Sequence, residues 1–138
     1  MKRGFSLLEL ILVMAIIAII AGIAVSNITN RMKYAQAKSL VEQFISDIQW
    51  VRSLALKYNS ATIKFYSNKY EIYAPSSSVT PKKIVNLPSG VSISENFGSS
   101  LDFLSNTLPE ENGTITFNAF GKTYRIVINL NGGIRLEE

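Results

Sequence analysis

Gly4-Phe5-Ser6-Leu7-Leu8-Glu9-Leu10-Ile11-Leu12-Val13-Met14 opens the stretch that decides how this chain is read. No charged or strongly polar residue follows from Leu10 to Val25, so residues 5–25 hold two clearly polar side chains, Ser6 and Glu9. As a helix this run is about 31 Å long at ~1.5 Å per residue, close to the hydrocarbon thickness of a bilayer. Before it stands a short basic leader, Met1-Lys2-Arg3-Gly4.

Three readings of the N-terminus compete. A secretory signal peptide has a basic start, but its apolar part is shorter than this one; a small-residue exit exists at Ala21-Gly22-Ile23-Ala24. The second reading is a plain membrane anchor, and the third an anchor with a processing site before the apolar run. Glu9 decides between them. An ionised carboxylate in an apolar helix costs several kcal/mol unless it is paired or reaches the interface. Cleavage between Gly4 and Phe5 creates an amine four residues from Glu9, on the same helix face. The amine of one subunit can then meet Glu9 of the next, and a first-turn carboxylate also suits the helix dipole.

Gly4-Phe5-Ser6-Leu7-Leu8-Glu9 after a basic leader resembles the processing motif of bacterial type IV prepilins and type II secretion pseudopilins. The resemblance implies cleavage after Gly4 by prepilin peptidase, N-methylation of Phe5 and a role for Glu9 in subunit register. It also implies that Leu7, Leu8, Leu10, Ile11, Val13 and Met14 pack against neighbouring helices in a fibre. One departure is Ser26, where many pilins carry a proline; the first proline here is Pro75. A kink near residues 22–30 would rest on Gly22, Ser26-Asn27 and Thr29-Asn30, which are weaker helix formers, and a continuous helix is the expectation. Lys2 and Arg3 favour a cytoplasmic N-terminus, but Arg31, Lys33 and Lys38 lie beyond the other end. The motif, not the charge, sets the orientation as N-terminus in, domain out.

Residues 34–58 read as an amphipathic helix. Leu40, Val41, Phe44, Ile45, Ile48, Val51, Leu54, Ala55 and Tyr58 form one apolar face at three-to-four spacing. Lys38, Glu42, Gln43, Ser46, Asp47, Gln49 and Ser53 are assigned to the other side, and Trp50 to the rim. After Asn59-Ser60 the period becomes two. Ala61–Tyr66 and Lys69–Tyr73 alternate as strands around a Ser67-Asn68 turn. Further strands are expected at Lys83–Leu87, Val91–Ser94, Thr114–Asn118, Thr123–Asn129 and Gly133–Leu136. Loops are expected at Pro75–Pro81, Glu95–Ser100, Asn106–Gly113 and Asn131-Gly132. The fold class is α+β, pilin-like: a long N-terminal helix whose distal half covers one face of an antiparallel sheet. The divisions are a leader at 1–4, a transmembrane and assembly helix at 5–26, its amphipathic half at 27–58 and a β-rich domain at 59–138.

Val51-Arg52-Ser53-Leu54-Ala55, Ile115-Thr116-Phe117 with Gly121, Arg125-Ile126-Val127-Ile128 and Gly132-Gly133-Ile134-Arg135 resemble the minor pseudopilins of the general secretion pathway H type. They are also similar to related minor type IV pilins.

Composition narrows the chemistry. There is no Cys and no His among the 138 residues, which removes thiol nucleophiles, Ser-His triads and the common zinc sites. The net charge is +4 and falls to +2 once Lys2 and Arg3 are removed with the leader. Glu110-Glu111, Glu137-Glu138 and Asp102 lack the compact run of oxygen ligands that calcium wants, so no metal and no cofactor is expected. Asn131-Gly132-Gly133 reads as a hairpin turn, since no helix follows to hold a phosphate. Lys122, Arg125 and Arg135, with Lys82-Lys83, are the candidates for DNA contact. The C-terminal Glu137-Glu138 pair opposes phosphate there.

The expected function is structural and not catalytic. The chain reads as a minor pilin or pseudopilin of a type II secretion pseudopilus or a type IV pilus. Its expected partners are other pilin or pseudopilin subunits, prepilin peptidase, an inner-membrane assembly platform and, before assembly, the lipid bilayer. It is placed as a single-pass protein of the cytoplasmic membrane, N-terminus inside, that passes into a periplasmic or extracellular filament. Two alternatives stand beside this, a DNA-binding minor pilin of an uptake system and an anchored domain unrelated to pili.

Overall fold

A computed structural model describes residues 6–137, and within them only the backbone of residues 24–27. One helix, α1, runs without a break over Leu7–Tyr58. Helical backbone therefore passes through Gly22, Ser26-Asn27 and Thr29-Asn30, and the continuous-helix expectation holds there. The helix stops where Asn59 takes a left-handed φ of 66°, a conformation that Asn tolerates better than most residues. The chain divides into two compact units, one ending at Gln36 and the other beginning at Ala37.

Among the described residues, the second unit forms eight strands. These are β1 (Ser60–Phe65), β2 (Lys69–Tyr73), β3 (Lys83–Asn86), β4 (Val91–Glu95), β5 (Ser100–Leu104), β6 (Gly113–Ala119), β7 (Lys122–Ile128) and β8 (Ile134–Glu137). All pairings are antiparallel, but the single sheet expected from the sequence is in fact two four-stranded sheets. Their orders are β3-β2-β1-β5 and β4-β6-β7-β8. The chain crosses between the sheets three times: at residues 87–90 between β3 and β4, at residues 96–99 as β5 returns to the first sheet, and at residues 105–112 before β6. Gly90 has φ +87°, and a Cβ there would come within 2.9 Å of the Phe120 ring. Only glycine suits both demands.

The sequence pattern predicts no strand over residues 100–104, only a loop up to Ser100. The structure has β5 there. It pairs with β1 along Ser60↔Leu104 to Lys64↔Ser100, and Leu101 and Phe103 point into the core. The alternation Leu101-Asp102-Phe103 carries the signal, but its span is too short to outweigh the flanking serines and glycine. The Ser67-Asn68 turn lies where expected, with the Tyr66 amide bonded to the Lys69 carbonyl at 2.9 Å.

The helix residues from Ala37 onward supply one stripe of the core: Ala37, Leu40, Val41, Phe44, Ile48, Val51 and Ala55 are all buried. Side chains three and four apart share a helix face, and this face meets both sheets. Phe44 stands edge-on to Tyr70 of β2, centroids 5.0 Å apart, and tilts against Phe117 of β6 at 5.2 Å. Period-two alternation supplies the other walls. Ile63 faces Ile72 and Leu101, while Ile115 faces Ile126, all buried. Trp50 keeps a rim position, half-exposed.

Candidate functional site: assembly helix and domain anchors

Two sets of residues bear on function, and they lie in different units. The first is the start of α1. The Ser6 carbonyl accepts the amides of Glu9 and Leu10 at 3.0 and 3.2 Å, so Ser6 begins the helix. Glu9 occupies the third helical position, and Ser6-Leu7-Leu8-Glu9 has the spacing of a capping box. Four amides at a helix start lack intrahelical partners, which makes this turn favourable for a carboxylate.

Leu7, Leu8, Leu10, Ile11, Val13 and Met14 are all exposed, as are Ile16, Ile17, Ile19, Ile20 and Ile23. At 100° per residue these positions circle the helix, so it is apolar all round and, among the described residues, leaves these side chains exposed. Such a helix belongs in lipid or among other helices. The helix that starts at Leu7 is long and apolar enough to cross a membrane. Gly4 and Phe5, expected from the sequence as the cleavage and methylation positions, lie outside the described residues.

The second set fastens the distal part of α1 to the sheets. Asp47, assigned from sequence to the polar side, is 5% exposed. Its carboxylate accepts the Tyr70 hydroxyl at 2.8 Å and the Lys83 ammonium at 2.6 and 2.8 Å. One helix residue therefore holds both β2 and β3. Burial, with the adjacent Asp47, pushes the Tyr70 hydroxyl far above the ordinary tyrosine value. The correction has a simple cause. Asp47 lies three residues after Phe44 and four before Val51, at the edge of the buried stripe, where a carboxylate is tolerated only if paired. Lys83, named from sequence among the basic candidates for DNA contact, supplies that pairing.

Arg52 fastens the other side. Its Nε donates to the Thr107 carbonyl and its Nη1 to the Gly132 carbonyl, each at 3.1 Å. Gly132 has φ +79°, and a Cβ there would fall 2.7 Å from Arg52 Nη2. The hairpin turn at Asn131-Gly132-Gly133 is thus shaped to receive a guanidinium. Gln49, Arg52, Ser53, Leu56 and Thr107 line a shallow groove of about 360 Å³ beside it.

On the outer face of the first sheet Glu71 accepts Lys69 Nζ at 2.6 Å and the Tyr73 hydroxyl. The Lys69 and Tyr73 contacts hold the Glu71 carboxyl below the usual carboxylate range. Hydrogen bonding to Glu71 in turn raises the Tyr73 hydroxyl.

The DNA candidates are not gathered into one basic face. Arg125 lies opposite Glu137 in the β7–β8 ladder, and Arg135 is ion-paired with that same carboxylate. Lys122 begins β7, three residues from Arg125 and therefore on the other side of the strand's alternation. Glu137 thus neighbours both arginines, a carboxylate that opposes phosphate there. Of Asp102, Glu110 and Glu111, which share a recess of about 120 Å³, Asp102 accepts the Ser100 hydroxyl at 2.8 Å.

Comparison with known families agrees with this anatomy. Residues 1–25 match the family model for the prokaryotic N-terminal methylation motif. Residues 40–132 match the model for the type II transport protein GspH. No curated protein and no solved structure matches the chain. An apolar first helix bearing the methylation motif, with its distal part packed on antiparallel sheets, defines a pilin-like protein. Within that class, the chain belongs to the GspH family of type II transport proteins. It is thus a minor pseudopilin of the type II secretion or type IV pilus kind. Membership implies assembly with other pseudopilin subunits, and the motif with its apolar helix fits a membrane-anchored protein.

Proposed function

We propose that the chain is a minor subunit made as a membrane-spanning precursor, cut after Gly4 by prepilin peptidase and drawn from the cytoplasmic membrane into a pseudopilus or pilus. The β-domain lies on the far side of that membrane from the leader. The subunit works by position and catalyses nothing. Its processed amine at Phe5 and the carboxylate of Glu9 set the register between neighbours, while Leu7, Leu8, Leu10, Ile11, Val13 and Met14 fill the contact between helices. An inner-membrane assembly platform receives it.

The observation that carries this reading is a helix apolar on every side except for one carboxylate in its first turn. In lipid that carboxylate lacks an opposite charge; in a bundle of like helices it gains one. The test is Glu9→Ala in the intact precursor. Insertion and trimming are expected to proceed while incorporation into filaments falls sharply. Normal incorporation would remove Glu9 from the mechanism.

A further inference from the structure

The apolar run ends at a segment that the family assignment leaves without a role. Between Glu9 and Glu42 the sequence has no acidic residue, yet it carries Arg31, Lys33 and Lys38. In the first unit, Arg31, Lys33 and Tyr34 are all exposed on α1. Glu9 and Arg31 are 22 residues apart, which is about 33 Å along a helix rising ~1.5 Å per residue. With the apolar run of residues 5–25 filling a ~30 Å hydrocarbon layer, Arg31 lies about 9 Å beyond its far face, at the level of the headgroups.

The arrangement around the axis matters as much as the depth. Residues two apart differ by about 200° on a helix. Arg31 and Lys33 therefore point to opposite sides while differing by only about 3 Å in height. Tyr34 follows within the same turn, an aromatic of the type that settles at headgroup level. Two cations on opposite faces at one height match a surface that surrounds the helix, not a partner that lies against one side. These cations also flank the membrane on the side opposite Lys2 and Arg3. That placement opposes the ordinary charge bias for orientation, so it needs a separate reason.

We infer that Arg31 and Lys33 form a collar that binds anionic phospholipid headgroups where α1 leaves the bilayer. The long side chains reach outward to phosphate oxygens while their stems lie along the acyl boundary. The collar fixes the depth of the unassembled subunit and resists its withdrawal until neighbouring helices replace the lipid. This rests on the spanning reading of the first half of α1.

The test uses the full chain in nanodiscs of phosphatidylcholine alone and of phosphatidylcholine with phosphatidylglycerol. Native mass spectrometry counts the lipids that stay on the ejected protein. Phosphatidylglycerol is expected to be retained well beyond its share of the disc, and less so at high salt. Each surface cation is worth roughly fivefold in such an equilibrium. Arg31→Gln with Lys33→Gln is therefore expected to cut the preference roughly thirtyfold, and Arg31→Lys is expected to keep it. Entry into neutral discs without phosphatidylglycerol preference would sink the collar and leave the spanning reading intact. So would a double variant that keeps the preference. Failure to enter discs of either lipid would overturn both.

Discussion

The hydroxyl of Tyr70 on β2 donates to the carboxylate of Asp47 on α1 at 2.8 Å, and Lys83 of β3 closes on the same carboxylate. Asp47→Ala strands the buried Tyr70 hydroxyl and leaves Lys83 without its anion. The expected loss is about 2–4 kcal/mol in urea unfolding of a fragment from residue 27 onward. Asp47→Asn keeps an acceptor and is expected to cost less than half of that. Equal losses for the two variants would show that the charge, not the hydrogen bond, dominates.

Tyr70 also gives the domain a high-pH limit. Its folded value is raised above the ordinary 10.0, so the unfolded chain releases this proton first. The stabilisation is complete below about pH 10 and declines as pH rises further. Tyr70→Phe is expected to be less stable than the parent at pH 8 and to show a shallower decline above pH 10. Tyr73, raised through Glu71, adds to the parent's slope and stays in the variant. A decline equally steep in both proteins would place the alkaline sensitivity elsewhere.

Glu71 acts at the other end of the scale. Its folded value lies below the ordinary 4.5, so its contribution is present above that pH and fades as pH falls through the lowered value. Glu71→Gln is expected to flatten the acid side of the stability curve. An unchanged acid limb would mean that the Lys69 and Tyr73 contacts are lost in solution.

Arg52 holds two loops through their carbonyls. Arg52→Met keeps much of the stem and loses both bonds, with an expected cost of about 1–3 kcal/mol. Amide exchange should quicken around Thr107 and Gly132 more than in β1 or β2. Uniform quickening would indicate global unfolding and no local anchor.

Phe44 touches aromatic rings in both sheets. Phe44→Ala is expected to lose about 3–5 kcal/mol, near the whole stability of many small domains. Phe44→Leu should recover a large part of it.

The helix and most strands are legible in the sequence because each follows one period for long enough. Ile48, Val51 and Ala55 repeat at helical spacing, and Thr123–Asn129 alternates cleanly. The number of sheets is not legible, because alternation says which face is buried and not which strand lies alongside. β5 escapes for the same reason: Leu101 and Phe103 become strand residues only beside Ile63 and Ala61. Asp47 is misplaced when residue type is weighed above position. At the functional end the reverse holds. Ser6, Glu9 and the apolar run are readable without any tertiary contact, since that run stays exposed and its pattern is local. For the DNA candidates the opposing carboxylates Glu137-Glu138 are readable in the sequence, and what only the fold supplies is that Arg125 pairs across the ladder with Glu137 while Arg135 is ion-paired to it.

The proposed processing ahead of the apolar helix, on which the proposed assembly rests, is checked most directly by the mass of the mature N-terminus. The protein should be recovered from its own membrane or filament. The expected chain begins at Phe5 and carries a methyl group on that residue's amine. A chain that keeps Met1–Gly4, or one cut near Ala24, would contradict the pilin mechanism.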